Sequence, residues 1–90
     1  MTTHPELIRI LSVDDHPLLR AGVAALIGTQ PDMTVVGEAT SGREAIESFR
    51  STRPDITLMD LQMPDMDGID AILAIRSEFL NARIIVLTTY

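Results

Sequence analysis

The sequence predicts an α/β fold, a doubly wound parallel sheet in which short strands alternate with helices. Four stretches rich in Val, Ile and Leu or bounded by turn residues are typical of strands; they cover residues 7–13, Met33–Ala39, residues 55–60 and residues 83–89. All but the second are apolar at consecutive positions, which is expected of strands covered on both faces. Each interval leaves room for one helix, and repeated βα units give a parallel sheet with right-handed crossovers.

The first interval predicts a helix that begins at Pro17, because proline suits the first turn of a helix. Apolar residues then repeat at spacings of three and four, which is the helical period. These apolar residues are Leu19, Val23, Leu26 and Ile27.

The other two intervals also contain helix start signals. Ser41 is an N-cap residue with Glu44 three positions later, as in a capping box, and this helix is expected to end before Pro54. The third helix follows Asp67 and Gly68, where glycine permits a tight entry. In the second helix Ala45, Ile46 and Phe49 are expected to face inward. In the third, Ile69, Ile72, Leu73 and Phe79 are expected to lie along one side.

The composition is that of a small globular domain. The chain has 90 residues, 46% of them hydrophobic, and we expect one domain. Cysteine is absent, which excludes a disulfide framework and a thiolate metal site. The net charge is −6 and there is no basic cluster, so we expect no nucleic-acid surface on this chain. All seven basic residues are arginine. The N-terminus has no secretory signal and no run is long enough to span a membrane, so a cytoplasmic location is expected.

Acidic and hydroxyl side chains stand at the ends of three predicted strands. Asp14 and Asp15 follow the first strand, Asp60 ends the third, and Thr88 and Thr89 end the fourth. In a parallel sheet these ends share one edge, where ligands bind. Three carboxylates brought together repel one another unless a cation is present, and Mg²⁺ is typically held by carboxylates and water. The sequence therefore predicts a Mg²⁺ site at this edge.

Structural roles compete with this interpretation. An aspartate after a strand is commonly a turn residue, and only the convergence of all three acids favours a site. His16 could contact the site, but a solvated residue at the start of the first helix is the favoured interpretation. Met63 and Met66 are expected to pack in a loop. A calcium loop around Gly68 is excluded because Met63 and Ala74 occupy two ligand positions.

Four segments together resemble the receiver domain of bacterial two-component response regulators. They are Val13 to Pro17, Val36 to Ala39, the run PDITLMDLQMPDMDGIDAI and the run RIIVLTTY. The resemblance extends over residues 7–90 and is strongest to the NarL/FixJ (LuxR-type) subfamily. It implies the flavodoxin-like, CheY-like fold, which has five βα units and the strand order 2-1-3-4-5.

The resemblance also implies a role for each residue at the sheet edge. Asp60 corresponds to the phosphoacceptor, which takes a phosphoryl group from a phosphohistidine of a sensor histidine kinase. Mg²⁺ would be held by Asp60, by Asp15 directly, by Asp14 largely through water, and by the backbone carbonyl of Gln62. Thr88 corresponds to the hydroxyl that hydrogen-bonds the phosphoryl oxygens. Such a domain relays phosphorylation as a conformational or dimerisation change that regulates transcription, and it is not an enzyme with a separate substrate.

The chain departs from the family pattern because it stops just past the fourth strand. We expect an incomplete receiver over residues 1–90, with four strands and three helices in the order 2-1-3-4. The fifth-strand lysine and the helix-turn-helix effector domain would be absent, so this chain would bind no DNA itself. The fourth strand would form a sheet edge with unpaired backbone groups, which predicts a homodimer or domain-swapped oligomer.

Two alternatives remain open beside a working phosphoacceptor. A truncated receiver, or a fragment of a longer regulator, keeps the Mg²⁺ site but has little phosphotransfer competence and serves as a dimerising module. An aspartyl-phosphate hydrolase of the haloacid dehalogenase type also uses an aspartate at a strand end. That family expects a second acid two residues later, where this chain has Gln62.

Overall fold

The computed structural model describes residues 7–63 and 66–87, and in these residues four strands alternate with three helices. The strands are Ile8–Val13 (β1), Met33–Ala39 (β2), Ile56–Asp60 (β3) and Ile84–Leu87 (β4), and the helices are Pro17–Gly28 (α1), Gly42–Thr52 (α2) and Gly68–Glu78 (α3). All three strand pairs are parallel, and the order is β2-β1-β3-β4. The predicted α/β class and the order 2-1-3-4 are confirmed.

The strand order places a topological switch point between β1 and β3. The chain moves from β1 to β2 in one direction, and then from β2 across to β3 and on to β4 in the other. Because such crossovers are right-handed, α1 lies on one face of the sheet and α2 and α3 lie on the other. The packing of α2 against α3 agrees with this arrangement. Ligands of doubly wound sheets bind at the strand ends beside this point.

The second helix has the start that the sequence predicts, with one difference. The Ser41 hydroxyl accepts a hydrogen bond from the Glu44 backbone N–H at 3.2 Å. In a capping box the glutamate reaches back to the N-cap N–H, but here its carboxylate accepts from the N–H and the hydroxyl of Thr40, at 3.1 and 2.8 Å. The helix ends at Thr52, and its C-cap residue Arg53 has a left-handed backbone with a φ of 46°.

The core lies between the sheet and the helices. Its buried side chains include Leu11, Val13, Phe49, Met59 and Ile75. The predicted loop packing of Met63 and Met66 is confirmed, because both lie against this core.

The apolar residues of α1 and α3 do not all face the core. In α1 Ile27 is buried, but Leu26 is 70% exposed. In α3 the buried residues are Ala71 and Ile75, whereas Leu73 is 63% exposed and Ile69 is exposed as well. Helical spacing defines an apolar stripe along the helix. When that stripe is wider than the contact with the sheet, it does not fix how the helix is rotated about its own axis.

The prediction that the fourth strand is covered on both faces is also wrong for the described residues. Ile85 and Val86 are both exposed, and β4 pairs only with β3 in the described part of the sheet. A strand at the side of a sheet lacks one neighbour and the packing that goes with it.

Candidate metal centre

Four side chains that can bind a metal meet at the carboxyl ends of β1 and β3. They belong to Asp14, Asp15, His16 and Asp60, and one ligand atom from each lies within 4.8 Å of the others. Val13 and Met59 are register partners in the two adjacent strands, so the residues that follow them emerge side by side. The sheet therefore brings together the three carboxylates that stand apart in the sequence.

Asp60 presents one of its two carboxylate oxygens to this cluster. It is the last residue of β3, and only 2% of it is exposed. Its Oδ1 accepts a hydrogen bond from the Gln62 backbone N–H at 3.0 Å. Its Oδ2 is buried and has no hydrogen-bond partner among the described residues. A buried, unpaired carboxylate oxygen is energetically costly, so this oxygen is poised for a cation or another electron-poor partner.

The loop after Asp60 is held against the strand end by a glycine. The Gly68 N–H donates to the Leu61 carbonyl at 3.1 Å. A Cβ atom on Gly68 would lie 2.7 Å from the Leu61 Cα and closer still to the Asp60 carbonyl oxygen. Only glycine allows α3 to begin so near the backbone of Asp60 and Leu61.

Asp14 is fixed from three directions. Its backbone N–H donates to the Ala39 carbonyl at 3.0 Å, which ties it to the end of β2. Its carbonyl accepts from the Arg20 guanidinium at 2.9 Å, and its Oδ1 accepts from the His16 backbone N–H at 2.7 Å. Its neighbour Asp15 is partly exposed, but the Oδ1 of Asp15 is buried without a hydrogen-bond partner among the described residues.

His16 enters the cluster from the start of α1. Its Nδ1 lies 2.9 Å from Asp14 Oδ1, 3.1 Å from Asp15 Oδ1 and 3.7 Å from Asp60 Oδ2. The pKa of His16 is raised above its ordinary value because the ring hydrogen-bonds Asp14 and the negative charge of Asp15 attracts the proton. The favoured interpretation of His16 as a solvated residue is incomplete: its side chain is 58% exposed, yet it contacts all three acids, as the alternative interpretation allowed. Its position directly after the acid pair was the available signal.

The donor set fits a hard divalent cation. Three carboxylates provide negative charge at one point, and two of their oxygens are buried and unpaired in the described residues. Carboxylate oxygens are the ligands that Mg²⁺ prefers. Gln62 is held near the cluster by its N–H, which donates to Asp60 Oδ1. Thr88 and Thr89 lie outside the described residues.

A model of the response regulator receiver domain matches residues 10–90. This chain belongs to that family. The strand order β2-β1-β3-β4 is therefore that of a response regulator receiver domain.

Individual relatives support the assignment. The nitrate/nitrite response regulator NarL of Escherichia coli K12 is 45% identical over 86 residues, which are 96% of this receiver and 40% of that protein. A solved two-component response regulator of the LuxR family from Aurantimonas sp. SI85-9A1 is 42% identical, with a TM-score of 0.89 over 94% of this receiver and 61% of that chain. The response regulator TrrA from Thermotoga maritima, solved in complex with Mg²⁺–BeF, is 32% identical, with a TM-score of 0.86 over 93% and 71% of the two chains.

The receiver spans about 40% of the length of the curated relatives that it matches. In residues 7–63 and 66–87, none of the helices has both the length and the apolar character needed to cross a membrane.

Proposed function

We propose that this receiver accepts a phosphoryl group on Asp60 from the phosphohistidine of a sensor histidine kinase. The observation that carries the proposal is the Asp60 Oδ2 atom, which is buried, unpaired in the described residues and directed to the acidic cluster at the switch point. A carboxylate in that position can attack phosphorus, and its reaction with a phosphorylated nitrogen is a group transfer between two side chains.

The two carboxylate oxygens of Asp60 have different roles in this proposal. The Gln62 N–H holds Oδ1 by a hydrogen bond and so fixes the orientation of the carboxylate. Oδ2 then forms the bond to phosphorus while the bond from phosphorus to the donor imidazole nitrogen breaks. The departing imidazole nitrogen takes up a proton from solvent. Correct positioning of this kind is a large part of catalysis in phosphoryl transfer.

We assign the Mg²⁺ ligands to Asp14, Asp15, Asp60 and the backbone carbonyl of Gln62. The buried and unpaired Oδ1 of Asp15 supports this set, as does the meeting of the three acids within 4.8 Å. When bound, Mg²⁺ supplies positive charge that offsets the repulsion between the carboxylates and the phosphoryl oxygens. Thr88 is proposed to donate its hydroxyl to the phosphoryl group.

Phosphorylation adds about −1.5 to −2 charge at the sheet edge. We propose that the receiver relays this charge as a conformational and dimerisation change, and that a DNA-binding domain outside this chain turns it into regulation of transcription. The similarity to NarL and to a LuxR-family regulator supports this output. In this proposal the receiver is a phosphoacceptor and has no separate substrate, and the cytoplasmic location stays a prediction from the sequence.

The test is phosphorylation of the purified chain by acetyl phosphate with Mg²⁺. The wild type should gain the mass of one phosphoryl group, and Asp60→Asn should gain none because its amide is not a nucleophile. Asp32→Asn removes the same charge from an exposed position and should behave as the wild type. A gain in Asp60→Asn equal to that of the wild type would contradict the assignment. No gain in any variant, with Mg²⁺ still bound, would favour the dimerising module that lacks phosphotransfer.

A further inference from the structure

The imidazole of His16 contacts the acidic cluster through its Nδ1 atom. Its Nδ1 is within 3.7 Å of an oxygen from each of the three aspartates. The backbone of His16 is held to the same cluster, because its N–H donates to Asp14 Oδ1 at 2.7 Å. The ring is thus anchored at its own residue and directed inward, whereas a solvated side chain at a helix start has no such constraint.

The distances match those between neighbouring ligands of one ion. Two ligand atoms at right angles, each about 2.1 Å from an ion, are about 3.0 Å apart, and tetrahedral neighbours are about 3.4 Å apart. The Nδ1 atom lies 2.9, 3.1 and 3.7 Å from the three carboxylate oxygens. Two of these oxygens, Asp15 Oδ1 and Asp60 Oδ2, are buried without a hydrogen-bond partner in the described residues, so only Asp14 Oδ1 is engaged otherwise.

A nitrogen ligand changes which ion the cluster prefers. Mg²⁺ binds oxygen donors and keeps several waters, whereas imidazole suits the first-row transition ions. We propose that His16 is a metal ligand through Nδ1 and that it gives the site a preference for divalent transition ions such as Mn²⁺ and Co²⁺ over Mg²⁺. This inference rests on the metal centre of the proposed function. The ion replaces the proton on Nδ1, which leaves to solvent, and 58% of the side chain is exposed.

The test measures the binding of each metal alone to the whole chain, in the wild type and in His16→Gln. Titration calorimetry should show the Co²⁺ and Mn²⁺ affinities falling by about tenfold or more in the variant. The Mg²⁺ affinity should change by less than about threefold, because its oxygen ligands remain. Leu18→Ala, which removes an exposed side chain from the same helix turn, is the control and should bind all three ions as the wild type does.

A spectroscopic measurement identifies the ligand directly. Electron spin-echo envelope modulation of bound Mn²⁺ should show an imidazole nitrogen in the wild type and none in His16→Gln. Absence of the nitrogen signal in the wild type, or an equal loss of Mg²⁺ and Co²⁺ affinity in the variant, would overturn the inference and leave His16 as a hydrogen-bonding neighbour only. In that case phosphorylation of Asp60 with Mg²⁺ would still occur. Failure of the proposed function would give a different result. The wild type would then gain no phosphoryl group, although its Mn²⁺ spectrum still shows the nitrogen ligand.

Discussion

At the scale of single residues, the site depends on groups that position the acids without contacting a ligand. Arg20 in α1 donates to the Asp14 carbonyl at 2.9 Å and to the Glu38 carboxylate at 3.2 Å. It therefore connects the loop after β1 with the end of β2. Gly68 plays a comparable part after β3, because its missing side chain lets α3 begin against Asp60.

Replacing Arg20 by Met should weaken divalent-cation binding by roughly tenfold, a typical effect of a group that orients a ligand. The reason is that the Asp14 backbone loses the donor that fixes it, while the carboxylates themselves remain. Calorimetric titration with Mg²⁺ measures the effect, with Arg83→Met as the control at the opposite end of the sheet. Partial recovery in Arg20→Lys would support positioning, and wild-type affinity in Arg20→Met would contradict it.

Replacing Gly68 by Ala should lower the free energy of unfolding by about 1–3 kcal/mol, the usual range for overpacking. The new Cβ would lie 2.7 Å from the Leu61 Cα, and backbone atoms cannot move aside easily. Urea denaturation gives the free energy. Gly22→Ala is the matched control, since nothing lies within 4 Å of its Cβ. In a helix interior that change should stabilise by about 0.5–1 kcal/mol, so equal effects of the two substitutions would be inconsistent with this account.

At the scale of elements, the helix ends are determined by short polar contacts in the sequence. Asp67 caps α3 by accepting a hydrogen bond from the Asp70 N–H at 2.9 Å, and Ser41 caps α2 in the same way. At the start of α2 the Glu44 carboxylate binds the residue before the cap, which closes the turn that enters the helix.

The Glu44 contact should make the stability of the receiver depend on pH. Hydrogen bonds from the Thr40 hydroxyl and N–H lower the pKa of Glu44 below its ordinary value. A lowered pKa means that the stabilisation is complete above the unfolded pKa and is lost as the pH falls through the folded one. Urea denaturation at pH 7 and pH 3 should therefore show a smaller loss of stability in Glu44→Gln than in the wild type. Glu47→Gln, an exposed neighbour on α2, serves as the control. An identical loss in all three proteins would contradict the prediction.

At the scale of the whole molecule, the functional site is a product of topology. The switch point between β1 and β3 brings together acids that are 45 positions apart in the chain, Asp15 and Asp60. The same topology places β4 at one side of the described sheet, with Ile85 and Val86 exposed. The acidic site thus lies at the carboxyl ends of the strands, and the apolar strand β4 lies at the lateral edge of the described sheet.

The 90-residue chain purified alone should self-associate through β4. An apolar edge strand exposes N–H and C=O groups that another strand can pair with. Such pairing would also bury part of the exposed Ile85 and Val86 side chains. Sedimentation at micromolar concentration should show a dimer or larger species. Val86→Lys should shift the chain towards the monomer because a charge at a side strand opposes pairing. A well-folded wild-type monomer at that concentration would contradict the prediction.

Much of the fold could be predicted from local patterns. β2 is found at Met33–Ala39 as predicted, and Ile8–Val13 and Ile56–Asp60 each begin one residue later than expected. The cap at Ser41 could be predicted because cap chemistry needs only neighbouring residues, whereas the cap at Asp67 was found in the structure. The meeting of the strand-end acids also followed, since parallel strand ends share an edge.

The sequence by itself determined the α/β class, the order of the elements and the positions of the acids, because period and turn chemistry act over a few residues. Only the tertiary structure decided which side of α1 and α3 meets the sheet, how far β4 is covered, and that His16 points into the acidic cluster. These outcomes depend on contacts between elements distant in the chain. The direction of one imidazole is set jointly by the ends of two strands and the start of one helix, and the position of His16 after the acid pair does not by itself fix that direction.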